Sequence, residues 1–177
     1  MARLILSALA ILASTSLVAA MPAPAADEAA QPFSVERWVD GILADPNGDH
    51  LSPEEAAEQY AKHGSRSLDK RATCYDDRSA PAPEGDAIAC IQQLAAKGDT
   101  QCLIKSASSR FCEIGAAAID GRSEGSVFNV WAPCSQVAQA AGRIMDACFR
   151  SDRTVKGWEA VDAVNSDKKI VVALHGK

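Results

Sequence analysis

The sequence predicts an α+β fold: a small disulfide-stapled sandwich, in which an antiparallel sheet carries two helices on one face, preceded by a signal peptide and a helical pro-segment. Three observations predict it. Six cysteines, Cys74, Cys90, Cys102, Cys112, Cys134 and Cys148, all follow the dibasic pair Lys70 and Arg71. Two long stretches place apolar residues at helical spacing, while several short runs alternate as strands do. These elements are segregated along the chain rather than strictly alternating, which favours an antiparallel arrangement.

The chain opens with Arg3 and the apolar run "LILSALAILASTSLVAA", with Val18 and Ala20 at the minus-three and minus-one positions of a signal-peptidase site. Residues 1–20 therefore read as a secretory signal peptide. A transmembrane helix is the competing reading. Ser7, Ser14, Thr15 and Ser16 interrupt the run and Pro22 and Pro24 follow it, so it falls short of the roughly 20 apolar residues a span needs. No later stretch is apolar enough to cross a bilayer, and the expected location is extracellular.

An even cysteine count behind a signal implies disulfides formed in an oxidising compartment. Their absence before Arg71 divides the chain into a propeptide, residues 21–71, and a mature domain, residues 72–177. Lys70 and Arg71 would be the site of a kexin-type processing protease, within the polar stretch "GSRSLDKRAT".

The propeptide begins with a Pro/Ala linker, "MPAPAADEAAQP". Ser34 then caps a helix with Val35, Trp38, Val39, Ile42 and Leu43 on one side. Asp45, Asn47 and Asp49 alternate like the first ligands of an EF-hand loop, but His50 and Ala56 stand where that loop needs Gly and Glu. A turn, with Ser52 as cap, Pro53 at the first helical position and Glu55 completing a capping box, explains the stretch better. Two short helices covering part of the mature domain are expected.

The mature domain has roughly 100 residues, few enough that disulfides would supplement its core. Its charges nearly cancel, most of the chain's net charge of −5 lying in the propeptide, which argues against nucleic acid or an anionic membrane as the main partner. "PAPEGDAIACIQQLAAKGD" predicts a helix with Asp86 as cap, Ile88, Ile91, Leu94 and Ala95 buried, and Gly98 as terminator. "TQCLIKSAS" and "RFCEIGAAAI" predict a hairpin turning at Ser108 and Ser109, "DGRSEGS" a break, and "VFNVW" a third short strand.

"APCSQVAQAAGRIMDACFR" is the clearest helix. Cys134, Val137, Ala138, Ala141, Ile144, Met145 and Cys148 share one face, with Gln136, Gln139, Arg143, Asp146 and Arg150 elsewhere. At ~1.5 Å rise per residue, Cys134 and Cys148 stand about 21 Å apart and cannot bond each other. Gly142 costs this helix about 1 kcal/mol relative to alanine, which invites close approach of another backbone. "TVKGWEAV" and "KKIVVALHG" predict a closing hairpin whose last strand is apolar enough for the middle of a sheet.

Catalytic chemistry is sparse. His175 is the sole histidine after Arg71, and its place near the end of the chain predicts a frayed terminus. No Cys-x-x-Cys spacing or phosphate loop occurs, so no metal and no cofactor is expected. Catalysis by paired carboxylates would have to draw on Glu113, Asp120, Glu124, Glu159 or Asp162, although such acids are more often solvated surface. Trp131 and Trp158 are either core anchors or exposed platforms for a sugar.

The cysteine-free pro-segment ending "LDKR", with "DAIACIQQLAAKGDTQC", "SSRFCEIGAAAIDG", "APCSQVAQAAGRIMDAC" and the closing "TVKGWEAV" and "KKIVVALHG", resembles small cysteine-rich secreted proteins of filamentous fungi. These are the necrosis-inducing effector-like group and the killer-toxin-like α/β sandwiches. The resemblance implies an extracellular effector or toxin, tied to virulence or competition, that binds a host or competitor target and is not an enzyme. A monomer is expected, with a host or microbial protein or a cell-wall polysaccharide as its partner. A secreted carboxylate-dependent polysaccharide hydrolase and a carbohydrate-binding module are the alternatives.

Overall fold

Residues 32–64, 71–75 and 79–177 are described in a computed structural model. The expected signal peptide, the linker up to residue 31 and Lys70 lie outside them. Helix α1 (Val35–Ala44) starts at Ser34, whose hydroxyl accepts from the Arg37 N–H, and it buries Val35, Trp38, Val39 and Ile42. Helix α2 (Pro53–His63) carries the expected capping box: Ser52 accepts from the Glu55 N–H, and the Glu55 carboxylate accepts from the Ser52 N–H at 2.9 Å. A turn joins the helices, with the Gly48 N–H donating to the Asp45 carbonyl at 2.9 Å.

The rest of the chain forms β1 (Thr73–Cys74), β2 (Ala82–Pro83), α3 (Glu84–Ala96), β3 (Gln101–Ile104), β4 (Ser109–Ile114), β5 (Ala117–Ser123), β6 (Val130–Pro133), α4 (Cys134–Cys148), β7 (Thr154–Val155), β8 (Gly157–Asp162) and β9 (Lys169–Gly176). Five strands make an antiparallel sheet in the order β1-β8-β9-β5-β4. The apolar closing strand β9 lies at its centre, with Ile170, Val172 and Leu174 buried on one face. Strand β2 pairs with β7, and β3 with β6, as separate two-stranded ribbons.

That pairing corrects the first expected hairpin. Strand β3 joins β6 in the register Gln101↔Pro133 to Ile104↔Val130, and β4 turns back on β5 instead. The turn falls at Gly115, whose φ of +53° suits glycine, so "RFCEIGAAAI" is two strands and not one. A register shift between Arg110 and Cys112 buries both Phe111 and Cys112, which hid the two-residue alternation. The expected break at "DGRSEGS" comes later, because β5 runs on to Ser123.

Asp86 is also not a cap. Helix α3 begins at Glu84, whose N–H donates to the Arg153 carbonyl at 3.0 Å, and Asp86 accepts from the Ala116 N–H at 2.7 Å. Its end is as expected, with Gly98 left-handed at φ +53°.

Helix α3 packs on β4 and β5, and α4 on β8 and β9, giving the predicted sheet with two helices on one face. The α1–α2 hairpin adds a third layer, α1 against α4 and α3, and α2 against α3. Gly142 is where α1 comes nearest: a Cβ there would lie 3.0 Å from Glu36 Cα. Asp146, expected away from the buried face, is 1% exposed because α1 covers that side of α4.

Three disulfides link Cys74 to Cys148, Cys90 to Cys112 and Cys102 to Cys134. Each cysteine of α4 thus bonds a different strand, and α3 is bonded to β4. Disulfides of this density fit a secreted or extracellular protein. Among the described residues no helix is long and apolar enough to cross a membrane.

Candidate functional site

The helices cover one face of the five-stranded sheet, and strand alternation sends every second side chain to the other. Register then fixes who meets whom. Trp158 of β8 stands opposite Ala173 of β9, Ala173 opposite Asp120 of β5, and Asp120 opposite Arg110 of β4. On one side of this row run Ala160, Val171 and Arg122; on the other, His175, Ala118 and Glu113.

Small Ala173 between larger neighbours leaves a trough. One end is a cavity of about 470 Å³ lined by Tyr75, Arg122, Trp158, Val171 and Ala173. It meets a second of about 290 Å³, where Tyr75, Arg122 and Ala173 are joined by Ser79, Ser108, Asp120 and His175. Trp158 is 36% exposed, one of the large apolar side chains at the surface among the described residues. An aromatic ring, a guanidinium and hydroxyls around an open trough can stack on a ring-shaped ligand and hydrogen-bond its edges.

The polar end is an alternating chain of charges. Lys177 meets Glu113 at 2.7 Å, Glu113 pairs with Arg110, and Arg110 grips Asp120 through two bonds of 2.7 and 3.2 Å. His175 Nε2 reaches Asp120 Oδ2 at 3.1 Å. Burial would raise the Asp120 carboxyl, but hydrogen bonds from His175 and Arg110 together outweigh it and hold the group at about 2. Lys177, then Arg110, hold Glu113 below the usual carboxylate range. The Asp120 bond raises His175 above the usual imidazole value, against burial, and the Gly176 carbonyl adds to the rise.

His175 is therefore not at a frayed end. It lies in β9, opposite Ala118, and its side chain is 19% exposed. Both ring nitrogens face acceptors, Asp120 Oδ2 and the Gly176 carbonyl, so the doubly protonated ring satisfies both and leaves no lone pair for Ser79 or Ser108.

Of the acids considered, the fold brings together only Glu113 and Asp120, through Arg110. Glu159 faces the helices and pairs with Arg143 at 2.7 Å, Asp162 pairs with Lys169 at the rim at 2.6 Å, and Glu124 is exposed in a short 3₁₀ turn. The two tryptophans do not converge, since Trp131 lies on β6 in the β3–β6 ribbon. Arg71 is exposed, its guanidinium 3.4 Å from Glu36.

Residues 69–175 match the family described as Domain of unknown function (DUF8794). The chain belongs to that family. The DUF8794 match takes in the sheet up to His175 of β9, α3, α4 and all three disulfides, and it leaves out α1 and α2. No curated protein matches the chain.

Tyr75, Arg122 and the Asp120–His175 pair were not singled out as binding groups from the sequence. The alternation Lys169, Val171, Ala173, His175 does place His175 on a defined face. Its partner strand was not legible, because β5 hairpins with β4 and then returns beside β9 over a long connection.

Proposed function

We propose that this is a secreted, kexin-processed protein of effector-like or toxin-like type that acts by binding a host or competitor target, with the outer face of the sheet as its binding surface. The observation that carries the reading is the trough over Ala173, walled by Trp158, Tyr75 and Arg122 and closed by the Asp120–His175 pair. A cell-wall polysaccharide suits its stacking ring and flanking hydrogen-bonding groups, and the carbohydrate-binding alternative shares this surface.

The hydrolase alternative fits less well. Cleavage of a glycosidic bond by two carboxyls needs one held protonated near neutral pH. Asp120 and Glu113 are both pushed the other way, by the cations that grip them. The start of the DUF8794 match at residue 69, beside the dibasic pair, supports a boundary between pro-segment and working domain there.

Trp158→Ala and Arg122→Ala separate the readings. Each is expected to weaken pull-down on insoluble cell-wall polysaccharide, or the response of infiltrated host tissue, about tenfold or more, with an unchanged circular dichroism spectrum. Retained binding and response in both variants would remove the trough from consideration. Release of reducing sugar that disappears in Asp120→Asn would restore the hydrolase.

A further inference from the structure

We propose that cleavage after Arg71 does not release the pro-segment: residues 32–64 stay seated on α3 and α4 as a second, non-covalent chain of the finished protein. This rests on reading Lys70 and Arg71 as a processing site.

The argument starts from helix ends. A helix leaves its first four N–H and last four C=O groups without partners inside it. At the start of α1 the Val35 N–H donates to Asp146 Oδ1 at 2.9 Å, and the Glu36 N–H to Asp146 Oδ2 at 3.0 Å. The Ser34 hydroxyl donates to the same Oδ2 at 2.7 Å. A carboxylate of the mature domain therefore caps the pro-segment's first helix. The exchange is mutual, because the Tyr60 hydroxyl donates to the Met145 carbonyl, within the last turn of α4, at 3.1 Å.

Departure of the segment would strip three hydrogen bonds from Asp146, a carboxylate now 1% exposed. It would also bare an apolar interface. Val35, Val39 and Ala56 are fully buried, and Tyr60 packs edge-on against Phe33 and Phe149. Arg143 bridges Glu36 of the segment to Glu159 of the sheet at 3.4 and 2.7 Å, and Gln139 donates to Asp40 at 2.8 Å.

The segment also holds itself together. The Phe33 N–H donates to the His63 carbonyl at 2.9 Å, closing the helical hairpin upstream of the cut. Cleavage converts an intramolecular contact into a bimolecular one and removes a high effective concentration, but it breaks none of these bonds. No cysteine lies in the segment, so denaturation without reduction would separate the chains.

The purified chain, treated with a dibasic-specific protease, is analysed by intact mass in denaturant and by native mass and gel filtration at micromolar concentration. Expected are two chains in denaturant, one ending at Arg71 and one beginning at Ala72, and a single species carrying both under native conditions. Two chains in denaturant with a free 72–177 species natively would overturn retention while leaving the processing reading intact. One uncut chain in denaturant would overturn both, and the denaturing mass alone identifies that case.

Two variants probe the capping exchange. Tyr60→Phe keeps the ring and removes one hydroxyl, and is expected to raise the segment's dissociation constant about five- to tenfold. Asp146→Asn should raise it about tenfold or more. Unchanged retention in both would overturn reciprocal capping as its basis.

Discussion

Asp120 and His175 make opposite contributions to stability as pH changes. Asp120 is held at about 2 in the folded chain, so its contribution is complete above its ordinary value near 3.8 and is lost as pH falls from there through about 2. His175 is raised, so its contribution is complete below its ordinary value near 6.5 and is lost as pH climbs through the folded value. The pair thus stabilises most between about pH 4 and 6.5, by on the order of 2 kcal/mol from the carboxylate. Asp146 works in the other direction: burial, partly offset by the bonds from Glu36, Val35 and Ser34, raises it, so its contribution falls as pH rises above about 4. Urea midpoints of wild type and Asp120→Asn from pH 2 to 8 separate these effects. The difference should be largest between pH 4 and 6.5 and shrink on both sides; a difference independent of pH would mean that the pair does not titrate as a unit. At this scale the sequence was only partly legible. The closing hairpin placed Trp158 on a strand but left His175 as a frayed end, and the partners across the sheet depend on pairings between strands far apart in the chain, which a local period does not encode.

Elements were more legible than their pairings. Helices α1 and α2 both carry their signals locally: Ser34 with its apolar stripe, and Ser52-Pro53 with Glu55. Helix α4 stood out because its period holds over fifteen residues. The β3–β4 hairpin was misread for a physical reason. A glycine with φ +53° at position 115 decides the turn, while the bulge at Phe111 and Cys112 disguises the strand before it. Gly142 shows how an element-level oddity reports packing: a glycine that lowers helix propensity sits where α1's backbone passes. Gly142→Ala should therefore change sign with context. In the full chain the added methyl meets Glu36 backbone that cannot rotate away, and overpacking of about 1–3 kcal/mol outweighs the ~1 kcal/mol gained in propensity. In residues 72–177 alone, should that domain fold, the same change should stabilise by up to about 1 kcal/mol. Chemical denaturation of both forms checks this, and stabilisation in the full chain would mean that α1 lies further away than described.

For the whole molecule, the division of labour is between a disulfide-bonded sandwich that is DUF8794 and a cysteine-free helical layer that is not. The sandwich has covalent ties from α4 to β1 and β3 and from α3 to β4, which restrict its unfolded state. Those ties do nothing for the outer side of α3 and α4, whose burial comes from α1 and α2. The layer is therefore part of the core: Val35, Val39 and Tyr60 belong to the same buried cluster as Ile91 and Ile144. The two parts of the chain therefore differ in what they lose on separation. Residues 72–177 freed of the segment should unfold at a lower urea midpoint than the uncut chain, with an unfolding free energy smaller by at least about 3 kcal/mol, the sum of a few buried apolar side chains and the lost bonds to Asp146. Cleaved protein with the segment still seated should lie between them, its midpoint rising with protein concentration as mass action requires. Equal midpoints for the uncut chain and the freed domain would mean that the helices cover the sandwich without stabilising it.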